Sequence, residues 1–482
     1  MEQAKVKFEE RLDEALTHRE LPRHMTTDEI RIAGPAALGG VPASALVRSR
    51  HRLATVGQWN ERQLMGRRWP IGCAALEITQ RCNLDCAACY LSENSEAVHD
   101  LPLTEIFRRI DMIYEHYGPD TDVQVTGGDP TLRQRGELME IVRRIRARGM
   151  RPTLFTNGIR ATRDLLQALA EAGLVDVAFH VDMTQGRRGF ASEAALNSLR
   201  QDYIERARGL RLSVFFNTTV FSGNFNEVPE IVRFFVRNAD IVSMASFQLQ
   251  AGTGRGVLGS RPLHITIDSV KQQINLGAGA PLCFDTIQIG HSRCNRCAMA
   301  LVTNNKVYDM LDDQKLVTDI VELTADVRFD RQNRAALVRT FVKSLLSSPS
   351  ILARGSAWVI RKIWMAKADL IAAHGEVNKL SFFIHNFMDA CALDKSRVDA
   401  CTFMAVTSDG PISMCLHNAK RDAFILPPLR IADPMGEQLW DPLSGRIEAS
   451  DLCRTAAAVH HSPKTAKGRL KGLGHNRRSK HA

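Results

Sequence analysis

Three cysteines, Cys82, Cys86 and Cys89, stand in the spacing C-x3-C-x2-C directly after the apolar run Leu76-Glu77-Ile78-Thr79. Thiolates in a short loop are ligands for zinc or for an iron–sulfur cluster. Structural zinc sites close with a fourth Cys or His, commonly as paired C-x2-C knuckles, and no such partner lies nearby in the sequence. Three thiolates on a cubane of four irons leave one iron without a protein ligand, and a small molecule can chelate it. A zinc site and plain buried cysteines are the two alternatives to this open cluster.

Further polar groups follow later apolar segments. Thr126-Gly127-Gly128-Asp129-Pro130-Thr131 carries two glycines, which let backbone approach a ligand closely. Phe155-Thr156-Asn157-Gly158, His180-Val181-Asp182, Asn217-Thr218-Thr219 and the pair Gln248 and Gln250 offer hydrogen-bonding groups in the same way. Each could equally cap a strand.

The elements that must position these groups alternate. Strand patterns fall at 73–79, 122–126, 151–156, 175–181, 211–218 and 239–249, with amphipathic helical patterns at 103–117, 135–148, 161–172, 193–208 and 226–237. Gly149 and Gly173 punctuate helix ends. Such alternation predicts a parallel sheet with helical crossovers. Six units predict an α/β fold with a partial (β/α)6 parallel barrel, and barrels of this kind place chemistry at the C-terminal ends of their strands. The cysteine loop follows the first strand, and the glycine pair the second.

Together these motifs resemble the radical S-adenosylmethionine (radical SAM) superfamily. The resemblance implies that Cys82, Cys86 and Cys89 hold a [4Fe–4S] cluster whose open iron binds the amino and carboxylate groups of S-adenosylmethionine (SAM). It implies a reducing electron donor and a 5′-deoxyadenosyl radical that abstracts hydrogen. Gly127, Gly128 and Asp129 look like the family's Gly-Gly-Glu-Pro loop, with Asp129 where Glu is commoner, and would seat the methionine end. Asn157, Asp182 and Asn217 would contact the ribose or carboxylate. Many family members carry an aromatic just before the third cysteine, where this chain has Ala88, with Tyr90 just after.

Seven cysteines follow the barrel, more than core packing explains. Cys283 with Cys294 and Cys297, the last two as C-x2-C, predict a shared metal as an auxiliary cluster or zinc. Cys391, Cys401 and Cys415 form a weaker second group, with Cys453 beyond. His291 reads as a loop residue and Cys73 as core. The stretch from His385 to Cys401, with Ser408-Asp409-Gly410-Pro411 and Cys415-Leu416-His417-Asn418, resembles the C-terminal module of tetraether-lipid-synthase-like proteins and their hydroxymethylpterin-methyltransferase-like relatives. That resemblance implies additional [4Fe–4S] clusters. It also implies C–C coupling or alkylation on a lipid chain, or methyl transfer to a pterin-like small molecule. Two alternatives stand beside it. One is a peptide-modifying maturase, whose dense C-x2-C-x5-C-x3-C run is absent after Cys297. The other is a non-enzymatic zinc-knuckle protein.

Composition sets the frame. The 482 residues are 44% hydrophobic and 24% charged, with net charge +10, as in a large soluble protein. The charged start, Met1-Glu2-Gln3-Ala4-Lys5, has no signal-peptide core, so a reducing cytoplasm is expected. Residues 1–70 read as a helical and connector arm, 71–252 as the barrel, and 253–450 as a cysteine-containing α+β extension. Within the extension, 326–375 form a basic helical insert. Its Trp and aliphatic residues beside Arg and Lys could meet an anionic membrane surface, placing the protein at the membrane periphery; packed helices with a solvated basic face are the plainer reading. The tail 451–482 is basic and reads as disordered, without the stacking aromatics of nucleic-acid recognition.

Overall fold

The computed structural model describes residues 23–35, 44–258, 261–327, 334–433 and 436–449. The expected N-terminal helix, Cys453 and the basic tail lie outside them. Six strands appear where the sequence pattern put them: β1 (Cys73–Thr79), β2 (Asp122–Gly127), β3 (Arg151–Thr156), β4 (Asp176–His180), β5 (Ser213–Val220) and β6 (Val242–Leu249). All pair parallel in chain order. Helices Leu103–Tyr117, Arg135–Ala147, Arg163–Ala172, Asn197–Ala207 and Val228–Arg237 connect them. Thr162 caps the third of these, accepting from the Leu165 amide, and Gly173 ends it at φ 107°, where a side chain would strain the backbone.

The strands alternate faces. In β2, Val123 and Val125 are wholly buried toward the helices, while Gln124 and Thr126 face the barrel interior. The same period of two turns Ala75 and Glu77 of β1, Thr153 of β3 and Asn217 of β5 inward. The main core therefore lies between sheet and helices, around residues such as Ile106, Ile141, Leu169 and Phe235. The interior, lined by both polar and aromatic side chains, stays open as a cavity of about 1150 Å³.

The second half does not stand apart. Its strands β7 (Asn295–Thr303), β8 (Lys306–Asp309), β9 (Asn378–Asn386), β10 (Phe403–Thr407) and β11 (Gly410–Ser413) join the same sheet, in the order β11-β10-β1-β2-β3-β4-β5-β6-β9-β7-β8. β10 pairs parallel with β1, and β9 parallel with β6. The six-stranded arc thus becomes eight parallel strands. Its two ends, β9 and β10, are not hydrogen-bonded to each other. They meet through aromatic rings: Phe383 lies edge-on to Phe403 at 6.2 Å, and His385 meets Phe403 at 4.8 Å.

This seam is testable. Phe403→Ala should lower unfolding stability by roughly 2–4 kcal/mol, the range for deleting a largely buried ring, and Phe403→Leu should recover much of it. A loss below about 0.5 kcal/mol in urea unfolding, the scale of an ordinary surface substitution, would show that the ring contact contributes nothing to closure.

Candidate active site

The cysteine loop leaves the C-terminal end of β1 and is held from three sides. On the first, Gly127 and Gly128 press against it. A Cβ on Gly127, whose φ is 133°, would sit 1.9 Å from the Thr79 carbonyl oxygen, and one on Gly128 1.9 Å from that of Arg81. The Gly128 amide donates to Thr79 O at 2.9 Å and the Asp129 amide to Arg81 O at 2.8 Å. The glycines are required by backbone meeting backbone, a need separate from ligand approach. On the second side, the Ala87 amide donates to Thr184 O at 2.7 Å. On the third, the turn Gly254–Leu258 closes over the loop: Arg255 N donates to Leu91 O at 3.0 Å and Gly256 N to Cys89 O at 3.1 Å. Gly256 lies against Ala88, where its Cβ would be 3.3 Å from the Ala88 Cα. The small residue before the third cysteine is what lets this turn approach.

Cys82, Cys86 and Cys89 all line the cavity. The Asn157 side-chain amide reaches Cys82 Sγ at 3.9 Å and donates to Asn83 Oδ1 at 2.6 Å. Burial, then the charges of Cys89, Asp182 and Cys82, raise the Cys86 thiol well above its ordinary value. Burial likewise raises Cys89, partly offset by Arg255. Neighbouring buried thiols cannot all ionise unless positive charge is supplied among them, which bound metal does. Among the described residues no three His, Cys, Asp or Glu side chains gather as ligands of one metal ion. Three cysteines of one loop lining one cavity are a donor set that fits an iron–sulfur cluster.

Asp129 does not reach the cavity. Its carboxylate, fully buried, accepts from the Thr131 amide (3.0 Å), Thr131 Oγ1 (2.5 Å), Thr156 Oγ1 (2.9 Å) and the Asn157 amide (2.8 Å). It ties the glycine loop to the end of β3. Asp182 is equally buried, accepts from the Thr184 and Thr219 amides and pairs with His180 Nε2 at 2.7 Å. Burial would raise its pKa, but His180 and these donors hold it near 2. The group Asp182 presents to the cavity is therefore His180. Asn157, Asn217, Gln248 and Gln250 line the cavity directly.

The sequence reading missed a buried pair beneath the loop. Glu77, the one charge in an otherwise apolar and wholly buried β1, meets Arg421 at 2.6 Å. Burial alone would raise its pKa, but Arg421 and His417 outweigh it and hold the carboxyl near 2. Arg421 also lies over the Tyr90 ring at 4.7 Å, and Tyr90 donates to Gly127 O at 2.7 Å. Tyr90 is thus a strut between the cysteine loop, the glycine loop and the C-terminal helices. A lone charge inside a buried strand was the available signal.

The later cysteines regroup. Cys283, Cys294 and Cys297 do not share a site. Cys297 sits within β7 in an apolar cluster with Leu53 and Val56, and burial pushes it to about 11. Cys283 is raised to about 11 by burial and the Asp309 carboxylate, which accepts its amide at 2.9 Å. Nor does Cys391 join Cys401 and Cys415: it is exposed, near Arg261. Instead, the charges of Cys401 and Cys294 are both felt at Cys415, and that of Cys401 at Cys294. Burial, then Cys401, raise Cys415 to about 12, with Cys294 adding to the rise. The buried Arg397 donates from Nε to Cys294 Sγ at 3.2 Å, and the Met388 amide donates to Cys415 Sγ at 3.5 Å. Cys415 lines the cavity that Cys82, Cys86 and Cys89 line. Cys73 is buried in β1, and His291 is held by Ser396 and the Arg293 amide.

Two consequences can be measured. Glu77→Gln leaves the Arg421 guanidinium buried without its carboxylate, and should lower stability by about 3–5 kcal/mol. His385 is lowered to about 3 by burial. A histidine neutral in the fold but titrating near 6.5 when unfolded contributes stability that is complete above pH 6.5 and falls as pH drops below it. Glu77 and Asp182, held near 2, act only below the ordinary carboxylate range. Urea unfolding between pH 6.5 and 5 should therefore show stability falling with pH, less steeply in His385→Asn; an unchanged slope in that variant would contradict the assignment.

The family model of the radical SAM superfamily matches residues 76–235. A 7,8-dihydro-6-hydroxymethylpterin dimethyltransferase of Methanocaldococcus jannaschii is 31% identical over 188 residues, covering 38% of this chain and 37% of that protein. A probable GTP 3′,8-cyclase of Pyrococcus abyssi is 32% identical over 168 residues, covering 34% and 53%. The chain thus spans between a third and just over half of the length of these relatives. Among solved structures, Streptococcus suis SuiB bound to S-adenosylmethionine aligns over 42% of this chain and 45% of its own, at 15% identity and a TM-score of 0.33. Residues 76–235, which hold the three cysteines and the glycine pair, thus carry the match to the radical SAM superfamily.

Proposed function

We propose that this chain reductively cleaves SAM and uses the resulting radical to activate a C–H bond. The single observation that carries this is the convergence of Cys82, Cys86 and Cys89 with Gly127, Gly128 and Asn157 on one cavity wall. When bound, a [4Fe–4S] cluster on those thiolates supplies one electron, taken from an external donor, that breaks the sulfonium–C5′ bond of SAM, leaving methionine and a 5′-deoxyadenosyl radical. The chain's own part is positional. Gly127 and Gly128 offer backbone for the methionine end, with Asp129 fixing their loop from behind. His180, Asn157 and Asn217 offer polar groups for the ribose and carboxylate. The turn Gly254–Leu258 covers the cysteine loop and limits water there.

A second iron–sulfur cluster belongs on Cys294, Cys401 and Cys415. Cysteines that merely fill a core need no cation, whereas here the buried Arg397 points at Cys294 Sγ, as thiolates carrying negative charge require. For the substrate, the apolar stretch of Phe215, Met244, Phe383 and Phe403 in the cavity wall favours an extended chain, such as a lipid tail undergoing alkylation or C–C coupling. Methyl transfer to a pterin-like ring is supported by the name of the Methanocaldococcus jannaschii relative.

Anaerobically prepared protein, reduced in the presence of SAM, should release 5′-deoxyadenosine and methionine. Cys82/Cys86/Cys89→Ala should abolish this and remove about four irons, one cubane. Cys294/Cys401/Cys415→Ser should remove the other irons and keep the first cluster's electron-paramagnetic signal. Cys283/Cys297/Cys391→Ser should keep all the iron. Iron lost in the last variant but not in the second would refute the regrouped ligands; zinc in place of iron would refute the radical reading.

A further inference from the structure

The helix Pro349–Ala372 is built inside out. Its inward side is polar and tied to charge: Trp358 Nε1 donates to Asp312 at 2.9 Å, Lys362 Nζ and Arg361 Nη1 reach the same carboxylate at 2.8 Å, and Asp369 accepts from Tyr308 at 2.6 Å. Its outward side is apolar. Trp364 is 71% exposed, Ile360 66% and Ile371 78%, with Ile363 and Met365 beside them. The preceding helix, Arg334–Leu346, packs on it and exposes Val338, Val342 and Leu346. A solvated helix shows the opposite arrangement, so this face is made to be covered.

Charge selects the cover. Between residues 331 and 368 the sequence has eight Arg and Lys residues and no Asp or Glu. On the exposed side Arg339 and Lys343 flank the apolar residues, and Lys367 lies over the Trp364 ring at 4.0 Å. A second copy of this chain would bring like charges together. No helix among the described residues is long and apolar enough to cross a membrane. An apolar stripe edged by cations is the form of a helix lying in an anionic lipid surface.

The same helices border the cavity. Leu337 and Phe341 line its far end with Arg68 and Trp69, next to the starts of the strands at Asp122, Arg151 and Asp176. The cysteine loop lines the other end, about 20 Å away by the rise of β1. Between them Phe215, Met244, Phe383 and Phe403 make an apolar stretch. We propose that helices Arg334–Leu346 and Pro349–Ala372 dock on an anionic lipid surface, and that the cavity end beneath them admits the apolar chain of a lipid. The radical SAM reading enters only as the chemistry that the chain would meet at the cysteines; docking is read without SAM, so the two can fail separately.

The test uses full-length, iron-loaded protein and vesicles of phosphatidylglycerol mixed with phosphatidylcholine, against phosphatidylcholine alone. Flotation should show binding to the anionic vesicles, weakened by salt, and little to the neutral ones. Arg339→Glu/Lys343→Glu and Ile360→Ser/Trp364→Ser should each weaken it about tenfold or more. Phosphatidylglycerol brominated on its acyl chains should quench Trp364, and in a variant that keeps Trp69 as its one tryptophan (Trp59→Phe/Trp358→Phe/Trp364→Phe/Trp440→Phe) should still quench Trp69 at the cavity end. Wild-type binding in both double variants would overturn the docking face, as would equal binding to neutral vesicles. A dimer in solution that Ile360→Ser/Trp364→Ser dissociates would assign the face to a second copy instead. Trp69 left unquenched while docking persists would overturn the entry of the chain.

Discussion

The site depends on two loops touching backbone to backbone. Gly127 and Gly128 bring the end of β2 so close to the carbonyls of Thr79 and Arg81 that no side chain fits between. This contact sets the cysteine loop over the barrel mouth, because the glycine loop is itself immobilised by Asp129. A carboxylate removed from water needs partners for its oxygens, and Thr131, Thr156 and the Asn157 amide supply them. One buried acid thus fixes the ends of β2 and β3 together. The usual longer Glu would have to place its oxygens differently, so the shorter Asp129 belongs with this set of threonines.

The open interior follows from which face of each strand is polar. Filled parallel barrels stack bulky aliphatics inward. Here the inward positions of β2 and β5 hold Gln124, Thr126, Asn217 and Thr219 beside Phe215, and the aliphatics face the helices. Stability therefore rests on the layer between sheet and helices. The interior is left to buried polar pairs such as Glu77 with Arg421, in which each charge is tolerated only while the other is present. That pair spans the first barrel strand and the last third of the chain, so the C-terminal helices are part of the barrel's own electrostatics.

The barrel was legible because its signals are local. Strand alternation, the glycines after helices and the three cysteines of one loop all lie within short windows, and the structure places those strands and helices within a few residues of the expected bounds. Relations across long sequence separations were not legible. C-x2-C suggested that Cys294 and Cys297 share a metal, but a strand begins between them at Asn295, carrying Cys297 into an apolar cluster and leaving Cys294 to face Arg397. Cys401 and Cys415 lie within electrostatic range of Cys294 through the pairing of β10 with β1 and of β9 with β6 and β7, and spacing carries no trace of those pairings. The basic insert was expected to show water its charges. Its inward polar face became visible only with Asp312, nearly fifty residues earlier in the chain, set against it.

Strands β9 and β10 also limit how anything reaches the cysteines. A six-stranded arc leaves a gap along its side through which a substrate could pass. Here that gap is flanked by added strands, and Phe383, His385 and Phe403 meet across it. At the C-terminal end, the cysteine loop lies under the turn Gly254–Leu258, with the Gly256 N–H donating a hydrogen bond to the Cys89 carbonyl and Gly254 packed on the Tyr90 carbonyl. Among the described residues, the side is joined by rings and the top covered by a backbone-bonded turn, and the cavity runs along the barrel axis between the strand starts and the cysteine loop. Along that axis the polar ring of Asp122, Arg151 and Asp176 comes first, then the aromatic stretch, then the thiols. On the proposal that a lipid chain enters here, such an order would suit a molecule with a polar head and an apolar tail entering tail first. The carbon presented to the cysteines would then be set by how deep the tail reaches before its head meets the charged ring.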